Sequence, residues 1–324
     1  MSWNTIIGQD VAKQQLQAHL ASGRVANGYL LAGPDGVGKR QLALEMAKAL
    51  NCTAEEARPC DACRTCTQIA KGTHPDVHLL SPGGASEQIR IETIRHLLGR
   101  LALAPFNARF QVAIIEGAER LTEEAANSLL KALEEPSAHG RFLLTTARLS
   151  DCLPTIISRC QLLRCRPLPV ALITQLVASR QPAVGTSAAA VARLSGGSAS
   201  KALELAGRWE GYQHLQARLA SEQTTDWLTQ PLPESRQEVA QLIDGLMSWL
   251  RDIAVSASAG GPVAHAAQER AIRRQVQSVD LDRCVDTVVE LVALRESLEQ
   301  FVSPRLVATL AREKWQMLME PQHV

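Results

Sequence analysis

The pattern of apolar and polar positions changes character twice along the chain. Up to about residue 165, short unbroken apolar runs alternate with stretches whose apolar residues recur every three or four positions. Tyr29 to Ala32, Val77 to Leu80, Val112 to Ile115 and Phe142 to Thr145 read as buried strands, with amphipathic helices between them. That alternation predicts an α/β domain built on a parallel sheet. From Pro167 to about Ala206 the strand runs stop, and short helices punctuated by Gly, Pro and Ser predict a small helical lid. After Trp209 the pattern is helical throughout. Leu242, Ile243, Leu246, Met247, Leu250 and Ile253 fall on one apolar face, and Val285, Val288, Val289 and Val292 on another. Ser303 reads as an N-cap with Pro304 at the first helical position, and Ser256 to Pro262 as a flexible break. The expected domains are residues 1–165, 166–207 and 208–324.

Composition narrows what such a chain does. A length of 324 residues suits two or three domains, each with its own core. Lys plus Arg number 34 against 33 Asp plus Glu, so no global positive field marks an autonomous nucleic-acid binder. No charged, apolar and small-residue leader pattern is visible, and no run approaches the roughly 18 to 20 apolar residues that span a bilayer. A cytoplasmic protein with no membrane partner is expected. Four of the eight cysteines fall in one short stretch, which in a reducing compartment points to a metal rather than to disulfides.

The chemistry begins at Gly33-Pro34-Asp35-Gly36-Val37-Gly38-Lys39-Arg40, directly after a strand and before the helical Gln41-Leu42-Ala43-Leu44-Glu45. A phosphate loop needs this context: backbone N–H groups and a helix N-terminus surround phosphate oxygens while Lys39 supplies a point charge. Gly33, Gly36, Gly38, Lys39 and Arg40 are therefore the candidate residues for the phosphates of ATP or ADP. The alternative is a glycine-rich turn with no ligand. Position 40 should carry a hydroxyl to ligate magnesium, and arginine cannot coordinate a cation. The strand Gln111 to Ile115 leads into Glu116-Gly117, where a P-loop ATPase places a magnesium-binding acid and then a water-polarising glutamate. Gly117 has no side chain for that task, and Glu119 reads as a solvated cap or loop acid. Hydrolysis is not expected.

Cys52, Cys60, Cys63 and Cys66, spaced x₇, x₂ and x₂, supply four thiolates, the number that closes a tetrahedral structural zinc site within a module at about residues 50–75. A redox reading of the C-x₂-C steps lacks a thioredoxin-like context. His74 and His78 flank the region without being needed. Cys152, Cys160, Cys165 and Cys284 read as buried small hydrophobes. Lys131, followed by Glu134-Glu135, reads as the solvent side of a helix whose Leu129, Leu130 and Leu133 pack on the sheet. Arg270, Arg273 and Arg274 read as a solvated face.

The opening Ile6-Ile7-Gly8-Gln9, the glycine loop, Thr122 to Pro136 (TEEAANSLLKALEEP) and Phe142 to Cys160 (FLLTTARLSDCLPTIISRC) resemble the bacterial clamp-loader family of AAA+ proteins. The likeness runs from about residue 4 to 205 and is most specific up to 165. It implies a RecA-like AAA+ P-loop domain with a zinc module, then a small helical lid and an all-α collar whose faces join subunits. It also implies that Arg159, in Ser158-Arg159-Cys160, projects into the ATP site of a neighbouring subunit. A guanidinium suits a γ-phosphate whose charge spreads in the transition state; outside this motif, Arg159 reads as an ordinary surface ion pair.

Within that family the motor branch, gamma and tau, keeps the hydroxyl after the P-loop lysine, the Asp-Glu pair and a lid arginine. This chain has Arg40, Glu116-Gly117 and Ser200-Lys201 there, while Thr145 and Thr146 stand at the nucleotide-sensing position. The departures resemble the stationary delta-prime branch. The partners this implies are gamma or tau, delta, and, through the complex, the sliding clamp on primed DNA. A motor-type ATPase using Glu116 and a free-standing zinc-containing DNA-binding module remain the alternatives.

Overall fold

The computed structural model describes residues 2–55, 58–83, 88–221, 231–258, 263–298 and 302–319. The chain divides into two compact units, Met1–Ile173 with Gly197–Lys201, and Thr174–Gly196 with Ala202–Val324.

The first unit opens with α1 (Asp10–Ala21) and β1 (Gly28–Ala32), followed by α2 (Lys39–Asn51), α3 (Arg64–Ala70) and β2 (Val77–Leu80). Next come α4 (Ile91–Leu101), β3 (Gln111–Ile115), α5 (Glu123–Glu134), β4 (Gly140–Thr146), α6 (Pro154–Ile157) and β5 (Gln161–Arg164). The strands form one sheet in the order β2-β3-β4-β1-β5, and every pairing is parallel. The order explains the sequence pattern. β1 and β3 are central, and every residue of each is buried, so they read as continuous apolar runs.

Alternation divides these strands between two cores. Tyr29, Leu31, Val112, Ile114 and Leu143 join Leu16 of α1 and Leu42 and Met46 of α2 on one face. Leu30, Ala113, Ile115, Phe142 and Leu144 join Ile94 of α4, Leu129 and Leu133 of α5 and Ile156 of α6 on the other. At about 1.5–3 kcal/mol per fully buried large apolar side chain, these two layers hold the unit together. All four expected strands are present. The fifth, β5, is not visible in the apolar pattern: it lies at the sheet edge, where only Leu163 is fully buried.

The second unit holds most of α7 (Val170–Arg180), α8 (Ala188–Leu194), most of α9 (Ala199–Gly207), α10 (Trp209–Leu219), α11 (Arg236–Ser258), α12 (Glu269–Val276), α13 (Leu281–Ser297) and α14 (Pro304–Met319). Its core gathers Ile243, Leu246, Trp249, Leu250 and Ile253 of α11, Ile272 of α12, Leu291 of α13 and Trp315 of α14. Pro304 opens α14 as expected, and Asp280 caps α13 by accepting a hydrogen bond from the Arg283 amide. Two expectations change. α11 continues through Ser258, into the segment expected to break; the rest of that segment, residues 259–262, lies outside the described set. On α13 the face turned inward carries Cys284, Thr287 and Leu291; of the four valines, Val288 packs half-buried against the core, whereas Val285, Val289 and Val292 are exposed. The valines outscore Cys284 and Thr287 in apolarity, so periodicity alone selects the wrong face.

Among the described residues, no helix is long and apolar enough to cross a membrane.

Candidate functional site

The glycine loop connects β1 to α2 as the sequence requires. Gly33 leaves the sheet with its amide bonded to the Thr146 carbonyl at 3.1 Å, and α2 starts at Lys39. Gly36 and Gly38 have φ of 75° and 102°, the left-handed region that L side chains avoid. Gly36 is constrained a second time: a Cβ there would lie 2.2 Å from Ser198 Oγ and 1.9 Å from Ser200 Oγ. The Ala199 and Ser200 amides donate to the Gly36 carbonyl at 2.9 and 3.4 Å, anchoring the start of α9 on the loop. Lys39 is buried, and its ammonium donates to the carbonyls of Gly33 (2.5 Å) and Pro34 (2.8 Å). Gln9 fastens the loop from the other side, donating to the Val37 and Arg166 carbonyls while accepting from the Arg166 amide. A cleft of about 450 Å³ adjoins Gln9, with Gly8, Val11, Gln15, Arg164 and Leu168 among its walls.

The residues after this cradle do not fit magnesium. Arg40 Nη1 lies 3.3 Å from Glu116 Oε2, and Ser81 Oγ donates to the same oxygen at 2.5 Å. A P-loop magnesium draws its protein oxygens from these two positions; here one carries a guanidinium and the other pairs with it. The amide of Gly117 donates to Thr145 Oγ1 at 3.4 Å, and Thr146 Oγ1 donates to the Arg148 carbonyl at 3.1 Å while accepting from Cys152 Sγ. Glu119 differs from expectation. Instead of being solvated, it accepts from the Ala147 amide at 3.0 Å through Oε1, and its Oε2 is shut away from solvent. It ties the segments leaving β3 and β4 together. Lys201 is exposed, and its amide donates to Ser198 Oγ.

Arg159 follows the last turn of α6 at the surface. Its Nε donates to Glu134 Oε1 at 2.5 Å, and Nη2 approaches the same carboxylate oxygen. Nη1 donates to the Thr155 carbonyl (3.0 Å) and to Ser158 Oγ (3.2 Å). The guanidinium is therefore oriented on three sides while its side chain stays 34% exposed. Lys131 is exposed on α5, opposite the buried Leu129 and Leu133.

Cys52, Cys60, Cys63 and Cys66 converge, with all four Sγ atoms within 4.8 Å of one another. A tetrahedral zinc with bonds of about 2.3 Å separates its sulfurs by about 3.8 Å, so a small contraction closes the set on an ion. Cys52 ends α2 and Cys63 caps α3. Amides of Cys63 and Cys66 donate to the sulfurs of Cys60 and Cys63, as is suited to thiolates. Burial pushes the Cys63 thiol up, but the Cys66 and Thr53 donors outweigh it and bring it to about 6. Burial raises Cys52 and Cys66, whose charges therefore need a cation to be stable. Asp61, inside the cluster, receives Lys48 of α2 at 2.7 Å, and Lys48 also meets the buried Glu45 at 2.5 Å. His74 and His78 are engaged elsewhere, with the Asp76 amide and the Gln111 side chain.

Cys152, Cys165 and Cys284 are buried and Cys160 half-buried, and Arg270, Arg273 and Arg274 are exposed. The sequence reading misses Glu134, Ser81 and the Lys48–Asp61 contact. Glu134 is visible there only as an acid that follows Lys131 on the solvent side of its helix, and nothing in the sequence marks Ser81.

A family model described as DNA polymerase III, delta subunit, matches residues 8–169, half of the chain. The DNA polymerase III subunit delta' of Pseudomonas aeruginosa is 37% identical over 222 residues, covering 64% of this chain and 67% of that one. The chain belongs to the clamp-loader delta-prime family of DNA polymerase III. The subunit delta' of Bacillus subtilis is 40% identical over 155 residues, 48% of this chain and 46% of its own length. The match thus spans about half of that relative. The tau subunit of Escherichia coli is 37% identical over 156 residues, 48% of this chain and 24% of that one. Relatives of both the delta' and the tau kind thus each match about half or more of this chain.

Proposed function

We propose that the chain is a non-hydrolysing clamp-loader subunit that presents Arg159 to the ATP site of an adjacent motor subunit of the gamma or tau kind. The Arg40–Glu116 pair carries this reading, because it occupies the two positions from which magnesium would be held for hydrolysis. Gly117 leaves the water-orienting position without a side chain. Arg159, by contrast, keeps an exposed, oriented guanidinium. In this reading the glycine loop receives a nucleotide phosphate without turning it over, and the four cysteines hold a structural zinc. Residues 166–207 act as a lid, and residues 208–324 join the subunits. The partners are the motor subunits and delta, with the sliding clamp and primed DNA reached through the assembly in the cytoplasm.

Reconstitution with candidate loader subunits tests it. Removing this chain should abolish clamp loading, and Arg159→Ala should lower DNA-stimulated ATP turnover while the variant still co-purifies with the assembly. An unchanged rate sinks the role of Arg159. ATP hydrolysis by the isolated chain, lost in Lys39→Ala, would establish the motor reading instead.

A further inference from the structure

We infer that the phosphate loop takes a nucleoside polyphosphate without a divalent cation, the Arg40 guanidinium serving the charge that magnesium serves elsewhere. This deepens the nucleotide-site reading above and rests on it, but not on the role of Arg159.

The argument starts from charge. The first turn of α2 presents unpaired amides and the positive end of a helix of 13 residues. Two cationic side chains, Lys39 and Arg40, open that same turn. A cation at a helix N-terminus is disfavoured unless an anion offsets it. Asp35, whose side chain is 78% exposed, and Glu116 are the acids that meet these two residues. Glu116 answers Arg40 and is also held by Ser81. Lys39 has only its own loop's carbonyls and a 3.4 Å approach to Asp35. The two acids offset the two side-chain charges, so the positive end of α2 and its first-turn amides remain for phosphate oxygens.

The position of Arg40 then sets the form of the ligand. In a magnesium-dependent loop, the hydroxyl after the lysine and the acid at the sheet edge share one dication with the β- and γ-phosphates. Here Arg40 binds that acid directly, so a magnesium ion would face a guanidinium rather than an oxygen ligand, and Glu116 would have to abandon its partner. Arg40, with 56% of its side chain exposed, has donors to spare for phosphate oxygens, which a guanidinium binds in a planar, bidentate manner. Free ATP carries more negative charge than its magnesium complex and suits this cradle better. The metal-free nucleotide is the ligand, and magnesium competes with the protein for it.

The test is calorimetric titration of the full chain with ATP, once in EDTA and once in excess magnesium chloride. Binding in EDTA should equal or exceed binding in magnesium, and inorganic tripolyphosphate in EDTA should displace the nucleotide. Arg40→Thr, which restores the hydroxyl, should reverse the order, so that magnesium tightens binding. Circular dichroism of that variant establishes that it is folded, and the wild-type titrations decide the matter without it. Magnesium tightening wild-type binding about tenfold, a difference of about 1.4 kcal/mol, would overturn the inference. So would failure of tripolyphosphate to compete, or no binding of millimolar ATP in either buffer. Because only the isolated chain is used, any of these results leaves the loader assay of Arg159 standing.

Discussion

Arg40–Glu116 and Arg159–Glu134 are both arginine–glutamate pairs on the α/β unit, but they satisfy their guanidinium groups to different degrees. Arg40 sits in the first turn of α2, where the helix end repels it, and makes one contact of 3.3 Å with Glu116. Arg159 sits after the last turn of α6, where the Thr155 carbonyl accepts from it and from Ser158 Oγ, and it engages Ser158 and Glu134 as well. The first arginine keeps most of its donors turned to solvent. The second is pre-oriented before any ligand arrives. Residue identity alone does not distinguish the two; the backbone group beside each one does.

Substitutions should separate the pairs sharply. The largest effect is expected from Arg159→Lys, which keeps the charge and loses the planar fork: turnover at the neighbouring site should fall roughly 10³-fold, the lower end for a trans arginine, as read by single-turnover ATP hydrolysis in the assembled loader. The same exchange at position 40 should leave that rate unaltered. Equal losses at both positions would erase the distinction.

Next is a control for general damage in the helical unit. The fully buried Asp252 accepts from both the amide and Nδ1 of His265 at 2.8 Å. Burial pushes its carboxyl up, but the His265 donors outweigh burial and hold it below the usual carboxylate range. Its contribution to stability is therefore present above about pH 4, the unfolded value, and is lost as pH falls through the folded one. Asp252→Ala should cost about 3–5 kcal/mol in denaturant unfolding, and Asp252→Asn should flatten the acid limb of the stability curve. Neither variant should change ATP affinity at the glycine loop.

Glu134→Ala is expected to lower the neighbour's turnover about tenfold, about 1.4 kcal/mol, by releasing Arg159 from its orientation, with Glu134→Gln restoring part of it. If Glu134→Ala instead raises turnover, the pair is a latch rather than a guide. The smallest effect belongs to Glu116→Ala. With its partner Arg40 56% exposed and a single 3.3 Å contact between them, the pair should change stability by only about 0.2–1 kcal/mol in thermal melts, so its influence should appear in nucleotide binding and not in folding.

How far the sequence reveals these features depends on how local each one is. The phosphate loop and the cysteine cluster are contiguous motifs, and both the glycine geometry and the convergence of the four sulfurs follow from their spacing. The central strands are legible because both their faces are covered. β5 is not, because Gln161 and Arg164 flank only two leucines at an edge. Arg40 and Glu116 are 76 positions apart, so the missing magnesium ligands are readable singly while their mutual pairing is not. On α13, sequence periodicity registers apolarity and has no means of telling an inward face from an exposed one.

The contact between Lys48 and Asp61 has a consequence for anyone who would move the cysteine cluster into another protein. Residues 52–66 look like a self-contained cassette, yet Asp61 takes its ammonium from a helix that precedes the first ligand. A graft cut at Cys52 would part that carboxylate from its counter-charge and leave Glu45, buried in the donor helix, beside an ammonium that had lost half its company. The smallest portable unit therefore begins at Glu45, inside the helix that opens with Lys39.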